Sequence, residues 1–292
     1  MLKKILFIMT LTFLFAGITY AQVTTGSASG TVKGLNDEAL IGATVELTHI
    51  PTGAKYRTVT KTGGNFYIQN MNPGGPYILE VSNVGYENYK LTDINIPLGE
   101  VYQASVSLTN TSQQLSEVVV SAMGNRRVGA ATNISRTQIT NLPNINRSLI
   151  DATKLTPQAN GGSFLGMSGR YNNITVDGSV FNNNFGLGSN PLPGGASQPI
   201  SIDAIDQIQV NLAPYDVRQA GFTGAGVNAV TRRGTNEMYA TVYDFYRNQS
   251  FNGKKVDGTK LDDALKSSSN IFGASVGGPI IKNKLFFFLN GE

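Results

Sequence analysis

The 292-residue chain has no cysteine, no tryptophan and a single histidine, His49. Without cysteine there is no disulfide framework and no thiolate metal site. One histidine removes most zinc centres and most triad chemistry, and no nucleophile–base pair can be named around it. Charged residues make up only 14% of the chain. What is abundant is glycine, at 33 residues, together with 12 tyrosines and 14 phenylalanines. A weakly charged, aromatic, Gly/Asn/Thr/Val-rich chain points to β architecture.

The first residues, MLKKILFIMTLTFLFAGITYAQ, have the layout of a secretory signal. Lys3 and Lys4 precede an apolar run from Ile5 to about Ala16, and small residues follow, with cleavage expected after Ala21. The run is short for a membrane span, which disfavours an uncleaved anchor. Removing 1–21 takes away two lysines and no acid, so the formal charge drops from +4 to +2. No basic stripe remains to suggest nucleic acid as a partner. Any later membrane contact must come from strands.

From 22 to 110 the sequence reads as short strands with period-two alternation, punctuated by Gly53, Gly63, Gly64, Pro73 and Gly85. This predicts a small antiparallel β-sandwich. The stretches GTVKGLNDEALIGATVEL, TVTKTGGNFYI and PYILEVSNVGYENY resemble the carboxypeptidase-regulatory-like (transthyretin-like) domain. Lys61 and Gly63 stand where that family usually has acidic turn residues, which argues against calcium there. The family is often called carbohydrate-binding-like, but a fold is not an activity. A spacer or docking module is the simpler role.

Residues 111–127 read as a linker around the short strand-former Glu117, Val118, Val119 and Val120. An isolated strand of this kind either adds to a neighbouring domain or is captured at another protein's sheet edge. From 128 to 235 the texture changes. NRSLIDATKLTP predicts a short helix carrying Leu149, Ile150, Ala152 and Leu155, capped by Asn146 or Ser148 and stopped by Pro157. A Gly/Asn loop, the strand ITVDG, and a long irregular loop over 180–199 follow. Then comes a helical turn at Asp203–Ile205 running into a strand that ends at Val210, and lastly a Gly-flanked strand with a basic turn.

The order LIDATKLTP, MSGRYNNITVDG, IDAIDQIQV, GAGVNAVTRRG resembles the plug domain of TonB-dependent outer-membrane receptors, and of their Oar-like branch in particular. One departure is LAPYDVRQAGFTG, where most members carry Arg-Gly-Pro and Tyr-Gly. The resemblance implies that Glu117–Val120 is a TonB-box-like strand gripped by the TonB energy transducer. Arg232 and Arg233 are expected to form a charged turn at the junction of plug and barrel. Asp151, Asp177, Asp203 and Asp206 are expected to be turn or cap residues.

Beyond 236 the strands become longer. Asp244 cannot face lipid cheaply, which predicts that Tyr239, Thr241, Tyr243 and Phe245 point outward. In NIFGASVGG, Phe272, Ala274 and Val276 share one face, with Gly273, Ser275 and Gly277 on the other; this is a membrane-strand pattern. LFFFLN is apolar on both sides and so does not choose. The chain is therefore expected to be mainly β: a sandwich, a mixed α/β plug, and the first strands of an incomplete transmembrane β-barrel over 236–292. Three strands cannot close in hydrocarbon, so further strands are expected beyond Glu292.

The resulting expectation is an exported outer-membrane receptor for an unidentified large nutrient, plug-gated and energised by TonB. Its expected partners are outer-membrane lipid, the transported substrate and a surface lipoprotein, with no cofactor, no metal and no catalytic residue. Two alternatives are an outer-membrane structural or export protein uncoupled from TonB, and a secreted carbohydrate-binding sandwich.

Overall fold

The computed structural model describes residues 24–110, 131–142, 147–182, 200–212, 219, 221–251, 253, 255–257, 259–260 and 268–292. The leader, Glu117–Val120, Asn146 and most of the long loop over 180–199 lie outside the described residues.

The first unit has seven strands: β1 (Gly26–Lys33), β2 (Thr44–His49), β3 (Ala54–Val59), β4 (Asn65–Met71), β5 (Gly74–Ser82), β6 (Tyr89–Ile96) and β7 (Val101–Ser107). They form two sheets, ordered β4-β1-β7 and β3-β2-β5-β6. Alternate residues enter one core built from Ala28, Val32, Val45, Leu47, Phe66 and Leu79 among others. Two features correct the sequence reading. Strand β6 was not foreseen, because Asp93, at φ 59°, and register shifts against β5 break its alternation. The sandwich is also not wholly antiparallel, since β7 crosses from the other sheet and runs parallel to β1.

The second unit contains β8 (Ala131–Ile134), α1 (Arg136–Asn141), α2 (Leu149–Ala152), β9 (Ala159–Asn160), β10 (Ser163–Phe164), β11 (Asn173–Val176), β12 (Ser179–Val180), β13 (Ile205–Asn211) and β14 (Gly226–Thr231). Five of these strands form one sheet in the order β12-β11-β14-β13-β8. Its apolar face packs Ile134, Ile174, Ile208, Val210, Val227 and Ala229 with Leu149 and Ala152 of α2. Ser148 caps α2, accepting from the Asp151 N–H at 3.0 Å. Helix α1 was not foreseen; Gln138 accepts from the Ser135 N–H at 2.9 Å and closes its first turn. Within the expected Gly/Asn loop, Phe164 of the β9–β10 hairpin is fully buried and anchors it to the core.

The third unit is an open antiparallel sheet, β15-β18-β19, from β15 (Tyr239–Asn248), β18 (Ser268–Ile281) and β19 (Leu285–Gly291). A small ribbon, β16 (Lys255–Val256) with β17 (Thr259–Lys260), lies in the connection between β15 and β18. Among the described residues, no helix is long and apolar enough to cross a membrane.

Candidate functional site at the plug and barrel interface

The second unit packs on one face of the β15-β18-β19 sheet, and the pairing register identifies that face. Tyr239 stands opposite Gly277 and Tyr243 opposite Gly273. A Cβ on Gly273 would sit 2.3 Å from the Tyr243 ring, so glycine is what lets the ring lie flat across the neighbouring strand. On the other side of each ring lies an arginine of the second unit. The Arg147 guanidinium carbon is 4.3 Å from the Tyr243 centroid and 4.4 Å from that of Phe245. The Arg232 carbon is 4.4 Å from Tyr239 and 5.3 Å from Phe288. The interface thus holds two stacks, each of arginine, tyrosine and glycine.

Hydrogen bonds fix these stacks in place. The Tyr243 hydroxyl donates to Glu292 at 2.6 Å, and Ser201 donates to the same carboxylate oxygen at 3.0 Å. The Tyr239 hydroxyl donates to the Arg233 carbonyl at 2.9 Å. Asp203 pairs with Arg147 and, at 3.4 Å, with Arg136. Arg136 also donates to the Ile205 carbonyl at 2.7 Å, tying α1 to the start of β13.

This geometry overturns the outward assignment of Tyr239, Thr241, Tyr243 and Phe245. They face the plug, and Ala240, Val242, Asp244 and Tyr246 face away from it, Val242 being 73% exposed. The physical reason is that tyrosine hydroxyls need partners, which the plug supplies and hydrocarbon does not. Asp244, the sixth of the ten residues of β15, stands opposite Phe272 of β18 on the face away from the plug. For β18 the expectation holds: Phe272, Ala274 and Val276 are on the outer face, with Gly273, Ser275 and Gly277 buried. On β19, Phe288 joins the inner face opposite Gly277, and Leu289 the outer face opposite Val276.

Arg232 and Arg233 divide their tasks. Arg232 stacks on the barrel strands, whereas Arg233 donates to Asn72 of the sandwich at 2.6 Å. Between them, His49, Arg136 and Asp206 opens a cleft of about 480 Å³ where the three units meet. Burial pushes the Asp206 carboxyl above its usual range, and Arg136, Arg232 and Arg233 pull it back. Burial, aided by Arg233, lowers His49 to about 4. Asp177 accepts from the N–H and hydroxyl of Thr231 at 3.0 and 2.6 Å and closes the end of β14. Asp151 pairs with Lys154 at 2.5 Å in the first turn of α2. Sequence reasoning missed Arg147, Ser201 and Glu292; their only signal was an arginine beside a cap serine.

Comparison with known proteins agrees with this architecture. Residues 27–109 match the carboxypeptidase regulatory-like domain, and residues 230–292 an outer membrane beta barrel domain. The TonB-dependent transporter Oar of Myxococcus xanthus is 27% identical over 252 residues, covering 79% of this chain and 23% of the relative. The chain is homologous to TonB-dependent transporters. A second homologue, named Probable TonB-dependent siderophore receptor PirA, from Acinetobacter baumannii, is 31% identical over 132 residues, 44% of this chain and 16% of its own length. The chain therefore spans less than a quarter of either relative. The crystal structure of the siderophore receptor PirA from Acinetobacter baumannii covers 56% of this chain and 24% of its own, at 25% identity and a TM-score of 0.41. By their names, these relatives are a TonB-dependent transporter and a probable TonB-dependent siderophore receptor.

Proposed function

We propose that this chain works as a TonB-dependent receptor that takes up an unidentified large nutrient across the outer membrane. Residues 1–21 serve as its cleaved export signal. The plug, β8 to β14, occludes the lumen, and the tyrosine face of β15 and β18 forms part of the lumen wall. Glu117–Val120 is the strand that TonB grips; main-chain hydrogen bonding provides the hold and side chains set the register. The observation that carries this reading is the pair of arginine–tyrosine–glycine stacks, because it supports a plug seated on the inner face of membrane strands. Homology to TonB-dependent transporters supports the same reading.

No cysteine occurs in these 292 residues, so one introduced there can be followed directly. Val119→Cys should form a disulfide in cells with TonB carrying a single cysteine in its edge strand. Val59→Cys, exposed on the sandwich, should not. Equal cross-linking at both positions, or none at Val119→Cys, would leave a structural or export role uncoupled from TonB as the better account.

A further inference from the structure

The plug sheet has a second face, and its chemistry is polar. Gln207, Gln209 and Asn211 alternate with Ile208 and Val210 along β13, so the amides line the side away from the apolar core. Across the sheet, Gln209 pairs in register with Asn133 of β8 and with Asn228 of β14. Thr175 of β11 continues the row, donating to Asn228 at 3.1 Å. Gln207, Gln209 and Asn211 are all buried; the sandwich meets the first two, and Asn211 donates to Gln209 at 3.2 Å and to Gln219 at 2.6 Å.

The cover over Gln207 and Gln209 comes from the turn between β6 and β7, with Gly74 of β5 also beside Gln207. The Leu98 N–H donates to the Gln207 side-chain oxygen at 3.1 Å, and the Leu98 carbonyl accepts from the Gln209 amide at 2.6 Å. Two glutamines thus hold both main-chain polar groups of one residue, as a neighbouring strand would. Leu98 itself is fully buried. Gly99, at φ +69°, comes so close that a Cβ would lie 2.6 Å from the Gln209 amide. At the next residue, Glu100 accepts from Asn133 at 2.6 Å. The turn therefore touches both β13, through Gln207 and Gln209, and β8, through Asn133.

We propose that this turn is a latch stapling β8 to β13, so that the sandwich must undock before β8 can leave the plug sheet. Among the described residues, strand β8 is at the sheet edge and is held by four register pairs with β13. It is also the first described plug strand after the segment containing Glu117–Val120. Any pull on that segment loads β8 from its Ala131 end, against the staple. Buried amide pairs suit such a device. They are costly to break dry, yet water replaces them once the faces part, so undocking is cooperative and reversible. The mechanical consequence rests on the TonB reading above; the latch itself does not.

Hydrogen exchange on the full chain in detergent tests the latch without TonB. In the double variant Gln207→Ala, Gln209→Ala, the amides of Thr132–Ile134 should exchange about tenfold faster or more. Protection in β2, β5 and β14 should remain. The pair Glu100→Ala, Asn133→Ala, which removes the β8 arm, should accelerate the same amides with β14 unchanged. Unchanged exchange in β8 for both variants would overturn the latch. So would uniform loss of protection across β11 and β14, which would make the glutamines ordinary interior residues. Failure of the Val119→Cys cross-link with this result intact would reject TonB coupling alone.

Discussion

At the scale of single residues, arginines and one histidine carry most of the consequences. Arg147 is held by two rings and by Asp203, and a flexible ammonium cannot reproduce that planar contact. Arg147→Lys should cost about 1–2 kcal/mol of plug docking, seen as a lower denaturant midpoint, while Lys90→Ala in the exposed pair with Glu80 should change little. His49 is buried against Tyr77, ring centroids 4.7 Å apart, with Nδ1 2.7 Å from the Thr52 hydroxyl. Its folded pKa of about 4 lies below the ordinary 6.5, so the fold prefers the neutral ring. That preference contributes fully above the unfolded pKa and is lost as the pH falls from 6.5 towards 4. Acidification from about pH 7 to about pH 5 should therefore remove about 2 kcal/mol through His49. Asp206 acts with the opposite sign, because its raised pKa makes protonation easier in the fold than in the unfolded chain. The His49 share is thus read as the difference between wild type and His49→Phe in denaturant unfolding at the two pH values. The arginine–ring contacts were not legible in the sequence, since they join residues of separate units, and the His49–Tyr77 contact joins separate strands.

At the scale of elements, legibility followed the strength of the local pattern. Strand β18 alternates aromatic or aliphatic residues with glycine and serine, and its faces were readable from that alone. Strand β15 carries aromatic residues on both faces, and a single acid was given too much weight. What decides it is the partner strand: the small residues of β18 accept the tyrosines, and only the face with small residues has room for them. Gly273→Val should consequently cost about 2 kcal/mol or more and loosen the plug, because the new side chain displaces the Tyr243 ring and with it the bond to Glu292. Accelerated proteolysis of the plug in purified protein would report it. Ala274→Arg, one residue along and on the outer face, should cost about 2–4 kcal/mol in assembly yet leave plug docking intact. Strand β6 and helix α1 escaped sequence reading for local reasons. One is interrupted by a left-handed aspartate, and the other shows its cap only as Ser135 followed three residues later by Gln138.

At the scale of the whole molecule, the mainly β class and the kinship with TonB-dependent receptors were legible because segment order survives where individual motifs drift. The glutamines of IDQIQVN were read as one more strand. Their role on the second face of the plug sheet depends on a turn more than a hundred residues earlier in the chain, with which they pair at 2.6 and 3.1 Å. No local periodicity encodes that contact. The central claim is that β15, β18 and β19 lie in lipid with their tyrosine-and-glycine face on the plug. Single cysteines at Thr241, Val242, Ala274 and Ser275, introduced into the cysteine-free chain and probed in intact outer membranes, test it most directly. Val242→Cys and Ala274→Cys should resist a water-soluble maleimide and react with a lipid-partitioning one, whereas Thr241→Cys and Ser275→Cys should be shielded from the lipid reagent. Ready labelling of Val242→Cys and Ala274→Cys by the water-soluble reagent, with no alternation between neighbours, would contradict it.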